Sequence, residues 1–237
     1  MKRVFITGGT GGIGSACVEE FSKNGWQVTF TYLKSEEKAK ELCRRFDNCS
    51  CIKMDLGDSA SVDSLDNEAS YDAVVNNAAV SLFSMLQDTP TEKMKKLFEV
   101  DLFGSYGVLH KLIPRLISQG KKAAVVNVAS MWGQSGASCE SAYSAAKGAM
   151  IALTRALALE LAPCNIRFNC VSPGVIDTAM NRHFTSEERK EMEESIPLGC
   201  FGTSEQIAKI CRFLCDDRSS YITAQLICPN GGQLIGI

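Results

Sequence analysis

The chain has 237 residues, of which 45% are hydrophobic and 22% charged, so it can bury a substantial core in one domain spanning 1–237. Its formal net charge of −2 gives no electrostatic reason to expect nucleic acid or an anionic membrane as a partner. The apolar runs are too short to span a bilayer and the first residues lack the apolar region of a signal peptide, so we expect a cytoplasmic protein.

Short β-type runs alternate with helical stretches along the whole chain, a pattern typical of a parallel sheet with helices on both faces. We therefore predict a single-domain α/β fold of the doubly wound Rossmann type, with its ligand crevice beyond the carboxyl ends of the strands. The helix expected within Ser59–Ser70 should be short. The seven predicted strands lie near Arg3–Thr7, Gln27–Tyr32, Ser50–Met54, Ala73–Asn76, Ala123–Val128, Ile166–Val171 and Gln225–Cys228.

The first strand leads directly into a glycine-rich turn at residues 8–14, and a helical stretch follows the turn. Glycines permit a tight turn and a close approach of the backbone to a ligand. The N-terminus of the helix offers free N–H groups and the positive end of its dipole to a pyrophosphate. Strand, turn and helix together predict a site for a dinucleotide.

The end of the second strand, Thr31-Tyr32-Leu33-Lys34-Ser35, bears on the choice of cofactor. Enzymes that select NAD place an acidic side chain there to bind the adenosine ribose, and that charge would repel a 2′-phosphate. Here no carboxylate stands at Tyr32, and Lys34 and Ser35 are close by. We expect NADPH to be preferred over NADH, with a merely solvated Lys34 as the alternative interpretation.

Tyr143 and Lys147 lie four residues apart in a helical segment, so they share one face of the helix. The lysine ammonium should stabilise the phenolate and lower the pKa of Tyr143 toward working pH. Ser130 follows the apolar run 123–129, which is expected to deliver its hydroxyl to the edge of the sheet. Such a set can give a proton to a carbonyl oxygen during reduction, or take one from an alcohol during oxidation.

These motifs together resemble the short-chain dehydrogenase/reductase family over essentially the whole chain. Among its members, the chain looks most like 3-oxoacyl-(acyl-carrier-protein) reductases. The matching segments follow in the family's order: Thr7-Gly8-x-x-x-Gly12-x-Gly14, Asp55-Leu56, Asn76-Asn77-Ala78-Ala79, Asn127-Val128-Ala129-Ser130, Tyr143-x-x-x-Lys147 and Pro173-Gly174-Val175-Ile176-Asp177-Thr178.

The resemblance implies a residue set for each part of the site. Catalysis is assigned to Ser130, Tyr143 and Lys147 together with Asp101, and Asn76 should support the central strand. Lys147 should also hold the hydroxyls of the nicotinamide ribose. The expected cofactor residues are Thr7, Gly8, Gly9, Thr10, Gly12, Ile13, Gly14, Tyr32, Lys34, Ser35, Asp55, Leu56, Asn77, Ala78, Ala79, Tyr143, Lys147, Pro173, Gly174, Val175, Ile176 and Thr178.

Asp101 is a departure from the family, which usually has asparagine there in a distorted helix that holds a proton-relaying water. If the relay depends on the main-chain carbonyl, the change to aspartate should cost little. If it depends on the amide's donors, the relay should be impaired, because a carboxylate only accepts hydrogen bonds. Asp101 could also pair with Lys147 and raise the pKa of the lysine. We expect an active enzyme with an altered pH profile.

The substrate side is less defined. The charged segment His183–Met192 is predicted to be a helical lid with its helix starting at Ser186, between hinges at Pro173-Gly174 and Pro197-Leu198-Gly199. Met131, Trp132, Met180 and Phe184 are expected to form an apolar wall, with ordinary packing as the alternative. The eleven cysteines are scattered without the spacing of metal ligands, so we expect no metal site.

Three functions remain open at this point. The first is reduction of a 3-oxoacyl thioester on an acyl carrier protein. The second is turnover of another small ketone or alcohol, such as a hydroxysteroid, a sugar or a xenobiotic ketone. The third is a nucleotide-binding regulator without turnover. A basic patch would favour the first; its candidates are Arg115, Lys121, Lys122 and Arg155. We also expect a homotetramer, formed through the apolar helices at Met94–Gln119 and Ala142–Ala162.

Overall fold

Seven parallel strands form one sheet in the order β3-β2-β1-β4-β5-β6-β7. The computed structural model describes residues 1–66, 70–179 and 185–234. All seven predicted strands are present, and their bounds differ from the prediction by at most one residue at either end. They are β1 (Arg3–Ile6), β2 (Gln27–Tyr32), β3 (Cys49–Lys53), β4 (Ala73–Asn76), β5 (Ala123–Val128), β6 (Ile166–Val171) and β7 (Leu226–Ile227).

Helices cover both faces of the sheet, as the sequence predicts. They are α1 (Gly12–Lys23), α2 (Glu36–Arg45), α3 (Ser59–Asp63), α4 (Thr91–Phe98), α5 (Ser105–Ser118), α6 (Trp132–Ser135), α7 (Ser141–Leu161), α8 (Ser186–Glu194) and α9 (Ser204–Cys215). Val4 and Ile6 point into a core shared with α1, α2 and α9, whereas Phe5 points into a core shared with α5 and α7. The short helix expected after β3 is the five-residue α3.

The order of the strands reverses at β1, which has β2 on one side and β4 on the other. Chain segments leaving the carboxyl ends of β1 and β4 therefore diverge and open a crevice, the usual ligand position in such sheets. In the part of the chain that the structure describes, no helix is both long and apolar enough to cross a membrane.

A π-helical turn, Glu99–Gly104, joins α4 to α5. A Cβ added at Gly104 would overlap the carbonyl oxygen of Leu56, so only glycine allows this turn to pack against the segment after β3. The local helix distortion that the family resemblance implied around Asp101 is therefore present. Turns of this kind occur frequently at functional sites.

Candidate active site

The glycine turn lies at the point where the strand order reverses. Gly8 has a φ of +68°, and a Cβ there would come within 2.8 Å of Ala78 Cα. The Thr7 hydroxyl oxygen accepts hydrogen bonds from the main-chain N–H groups of Asn77 and Ala78, both at 3.0 Å. Asn77 Nδ2 donates in turn to the Thr7 carbonyl oxygen at 3.1 Å. The segments after β1 and β4, both predicted to bind cofactor, are thus joined to each other.

The N-terminus of α1 carries no side-chain cap, and its N-cap residue is Gly11. In contrast, α8 and α9 each begin with a capping box, in which a threonine accepts from the backbone N–H of the third helical residue. The first N–H groups of a helix have no partner within the helix. At α1 no side chain caps them, and this arrangement fits the pyrophosphate of a dinucleotide.

The Pro173–Thr178 segment closes against the other side of the glycine turn. A Cβ at Gly12 would lie 2.6 Å from Thr178 Cγ2, so the two predicted cofactor segments are in direct contact. Ile176 pairs with Gly202 in a parallel bridge, and Gly202 N donates to the Val175 carbonyl oxygen at 3.0 Å. Asp55, after β3, holds its own turn by accepting from Gly57 N at 2.9 Å.

The end of β2 is tied to the glycine turn through Thr31, whose hydroxyl and carbonyl oxygens accept from Gly8 N at 3.0 Å and Gly9 N at 2.8 Å. Tyr32 is partly buried against the core, and Lys34 and Ser35 are exposed at the start of α2.

Lys38 is a residue at this end of the site that the sequence analysis missed. Its ammonium lies 2.8 Å from the Thr10 carbonyl oxygen and 3.4 Å from Ser15 Oγ, so α2 places a cation on the glycine turn. Lys38 follows Lys34 by four residues, but Lys34 precedes α2, so the spacing alone does not predict which lysine reaches the glycine turn.

Tyr143 and Lys147 lie on α7 and are buried, with 8% and 2% of their surfaces exposed. The lysine Nζ is 5.5 Å from the centroid of the tyrosine ring and 3.4 Å from the Val128 carbonyl oxygen at the end of β5. Ser130 follows that strand and is buried beside Tyr143. The sheet and α7 therefore bring together the three residues that the sequence singled out.

The pKa of Tyr143 is shifted in the direction opposite to the prediction. Burial raises the pKa of Tyr143, and the nearby Asp101 carboxylate raises it further. The Lys147 ammonium and a hydrogen bond with Ser130 both lower this pKa, but they do not outweigh burial. Lys147 does lower the pKa of Tyr143, as predicted. The prediction that this pKa is lowered overall was wrong.

Asp101 lies in the π-helical turn and faces Lys147. Its Oδ2 is 3.0 Å from Lys147 Nζ, without the alignment of a hydrogen bond, and its Oδ1 accepts from Val80 N at 2.8 Å. Burial lowers the pKa of Lys147, but Asp101 and Tyr143 raise it by more, so the pKa of the lysine is raised overall. The ion pair that the sequence suggested for Asp101 is therefore present.

The predicted substrate wall is only partly described. Met131 is 1% exposed and presents almost no surface to a ligand, so the alternative of ordinary packing fits it better than a substrate wall. Trp132 packs against the cluster of Leu97, Tyr143 and Ala146, so it lies beside the tyrosine that is predicted to be catalytic. Met180 and Phe184 lie outside the described residues.

The helix predicted within the lid segment is α8, and one of its side chains ties it to the Pro173–Thr178 segment. The Arg189 guanidinium contacts both carboxylate oxygens of Asp177, at 3.3 and 3.1 Å, and stacks over the Phe201 ring at 4.5 Å. A bidentate contact of this kind fixes the orientation of the helix against that segment.

Two of the candidates for a basic patch lie away from this crevice. Lys121 and Lys122 precede β5 and so stand at the amino end of the sheet, and Lys121 is paired there with Asp72 at 3.2 Å. Arg115 is near the C-terminal end of α5, and Arg155 is exposed on α7. Sequence order alone could not show which end of the sheet these cations occupy.

The fold and the Ser130-Tyr143-Lys147 geometry define an oxidoreductase of the α/β dinucleotide-binding class. A family model described as enoyl-(acyl carrier protein) reductase matches residues 8–233. The chain belongs to the short-chain dehydrogenase/reductase family, and it is a nicotinamide-dependent oxidoreductase acting on CH–OH groups.

Relatives of known sequence cover nearly the whole chain. It is 34% identical over 238 residues to an uncharacterized oxidoreductase, YmfI, of Bacillus subtilis (strain 168), covering 98% of both chains. It is 32% identical to the 3-oxoacyl-[acyl-carrier-protein] reductase FabG of Chlamydia pneumoniae, covering 98% of this chain and 96% of the relative. FabG of Aquifex aeolicus is likewise 32% identical, with 98% and 97% covered.

A solved structure provisionally described as a betaketoacyl-ACP reductase superimposes with a TM-score of 0.89. The two chains are 26% identical, and the superposition covers 98% of this chain and 97% of the other.

Proposed function

We propose that the protein is an NADPH-dependent reductase of carbonyl groups and that its substrate is a 3-oxoacyl thioester carried by an acyl carrier protein. The observation that carries the carbonyl chemistry is the buried set of Ser130, Tyr143 and Lys147 at the carboxyl end of β5. The thioester rests on similarity to the FabG relatives.

In this proposal each residue has a separate task. Tyr143 is protonated and donates its hydroxyl proton to the substrate oxygen, while Ser130 donates a hydrogen bond to the same oxygen as negative charge develops on it. Lys147 stabilises the phenolate that remains and binds the ribose hydroxyls of the cofactor. The bound nicotinamide supplies the hydride for the carbonyl carbon. The raised pKa of Tyr143 favours the protonated donor that reduction requires.

The preference for NADPH is supported by positive charge at the end of β2. Lys38 on α2 has its ammonium on the glycine turn, and Lys34 is exposed just before the same helix. These cations favour a 2′-phosphate, and position 32 carries a tyrosine and not the acidic residue that would repel one.

The assembly we propose is a homotetramer built through α5 and α7. Phe103 in the π-helical turn is 62% exposed, Tyr106 on α5 is 50% exposed, and Leu159 on α7 is 76% exposed. Apolar side chains of this size, together with exposed alanines on α7, suit close packing of helices from a second copy. Light scattering at micromolar concentration should give the mass of the tetramer, and the mass of a single chain would contradict this part of the proposal.

The test of function is a substrate panel followed by the loss of reduced-nicotinamide absorbance. It contains a 3-oxoacyl thioester, the corresponding enoyl thioester, a hydroxysteroid ketone, a sugar ketone and a small xenobiotic ketone. We expect the highest kcat/KM for the 3-oxoacyl thioester with NADPH. The enoyl thioester is included because of the description of the matching family model.

The other outcomes separate the remaining functions. A higher kcat/KM for one of the other ketones would make that ketone the better substrate model and would leave the proposed carbonyl reduction in place. Cofactor binding without turnover of any compound would favour a regulator and would overturn the proposal.

A further inference from the structure

Asp101 is held in place from two directions inside the protein. The Val80 main-chain N–H donates to its Oδ1 at 2.8 Å, and Lys147 Nζ lies 3.0 Å from its Oδ2. The side chains of Asp101 and Lys147 are 0% and 3% exposed. Solvent therefore screens this pair little, and each charge acts strongly on its neighbours.

The negative charge of Asp101 changes the electrostatics around Tyr143. With a neutral amide at this position, the positive charge of Lys147 would act on the tyrosine without an opposing carboxylate at Asp101, and it would favour the phenolate. With the carboxylate present, the negative charge opposes the lysine and favours the neutral phenol.

We propose that Asp101 is a positioning residue that keeps Tyr143 protonated, so that carbonyl reduction persists to higher pH than it would with a neutral side chain at this position. The inference rests on the proposed reductase chemistry and adds to it the pH range over which reduction proceeds. Asp101 touches neither substrate nor cofactor in this role; it acts through Lys147 and Tyr143.

The pKa directions of the surrounding groups agree with this geometry. Burial raises the pKa of Tyr143, the carboxylates of Asp101 and Glu140 raise it further, and Lys147 and Ser130 lower it. For Lys147, burial lowers the pKa, whereas Asp101, Tyr143 and the buried Cys170 thiol raise it. Removing the charge of Asp101 takes away a raising influence from both pKa values. Both groups then lose their protons at lower pH.

Asparagine is the informative substitution because it keeps the shape and the bond to Val80. Its amide oxygen can still accept from the Val80 N–H, which keeps this bond to the π-helical turn and turns the amide NH2, in place of a carboxylate oxygen, toward Lys147. Alanine would remove the charge and the hydrogen bond together and would leave the N–H of Val80 without a partner.

The first experiment compares the pH dependence of kcat for reduction in the native protein and in Asp101→Asn. We expect activity at the optimum within about tenfold, on the order of 1.4 kcal/mol in barrier, and an alkaline limb displaced to lower pH. Asp63→Asn is the matched control, because Asp63 is exposed and pairs with Lys111 at 2.9 Å away from the site. The control limb should superimpose on the native one. An Asp101→Asn limb that is unmoved or displaced to higher pH would overturn the inference.

The second experiment needs no substrate and so separates this inference from the proposed function. The ultraviolet absorbance of tyrosinate is titrated in the native protein and in Asp101→Asn, with Tyr143→Phe in each background to identify the signal of this one tyrosine. Tyr143 should ionise at lower pH in Asp101→Asn. Equal titrations would sink the inference even if the enzyme proves to be a reductase. A native protein inactive on the whole panel, but activated by Asp101→Asn, would instead overturn the proposed function.

Discussion

The glycine turn after β1 leads into α1, whose N-terminus carries no side-chain cap, whereas the centre between α7 and the π-helical turn buries two charged side chains against each other. The turn is made of residues that follow one another in the chain, so its glycine pattern is local, although Thr31 and the segment after β4 brace it. The charged centre depends on contacts among the π-helical turn, the segment after β4, and α7, which are far apart in sequence. Changes in the turn should therefore alter cofactor binding, and changes in the centre should alter proton transfer.

The largest change in activity is expected from Tyr143→Phe, which alters the charged centre and leaves the glycine turn intact. The substitution removes the proton donor but keeps the ring against Leu97 and Ala146, and it leaves Lys147 to bind the ribose. We expect kcat for reduction to fall about a hundred- to ten-thousand-fold, with the cofactor dissociation constant nearly unchanged. Fluorescence titration with NADPH measures the second quantity. Substantial residual turnover would count against the mechanism.

The converse change is Gly14→Ala, which acts on the turn. The added Cβ would overlap the Gly8 carbonyl oxygen and come within 2.7 Å of Asn77 Nδ2, so the turn must move. We expect a loss of cofactor affinity and of about 1–3 kcal/mol in the free energy of unfolding. Denaturant unfolding and cofactor titration measure the two effects.

Gly25→Ala is the matched control for that variant. Gly25 has a φ of +76° and no atom near its Cβ position, so it tests the cost of backbone strain alone. It should lower stability and leave cofactor affinity unchanged. If both variants lose cofactor affinity equally, the local role of the turn is refuted.

The difference in locality also explains what the sequence could predict. The seven strands, the turn and the Tyr143-Lys147 spacing are local patterns, and they define the fold and most of the site. The net direction of the Tyr143 pKa was missed because it depends on burial and on Asp101, and the sequence shows neither how deeply a ring is buried nor how close a carboxylate from another helix comes. The position of Lys38 over Thr10 depends on how α2 packs beside the turn. Lys121 and Lys122 lie at the amino end of the sheet because they precede β5, and their distance from the crevice follows from the direction of that strand.

A smaller effect, confined to the cofactor, is expected from Lys38→Ala. Loss of the ammonium at Thr10 should lower kcat/KM for NADPH about tenfold, on the order of 1.4 kcal/mol, and change the value for NADH little. Lys40→Ala is the control, because Lys40 is exposed on the same helix and pairs with Glu36 at 2.8 Å.

Lys34→Glu adds the second lysine to the test. It should also lower kcat/KM for NADPH. Comparing this decrease with the one in Lys38→Ala shows which lysine contributes more to the preference for NADPH. A native preference for NADH, or equal losses with both cofactors in Lys38→Ala, would contradict the assignment of this end of the site to a 2′-phosphate.

The smallest effect is expected at the lid, from Arg189→Gln. The guanidinium joins α8 to Asp177 and lies over Phe201, but it is partly exposed, so the ion pair should contribute at most about 1 kcal/mol. Losing it should free α8 from the segment predicted to border the nicotinamide, raising KM for the carbonyl substrate less than about fivefold and leaving proton transfer intact. Lys190→Gln, on the same helix, controls for the loss of one positive charge. Steady-state kinetics would reveal a different role for Arg189 if kcat fell while KM stayed constant, because that result would connect the lid to the charged centre and not to substrate access.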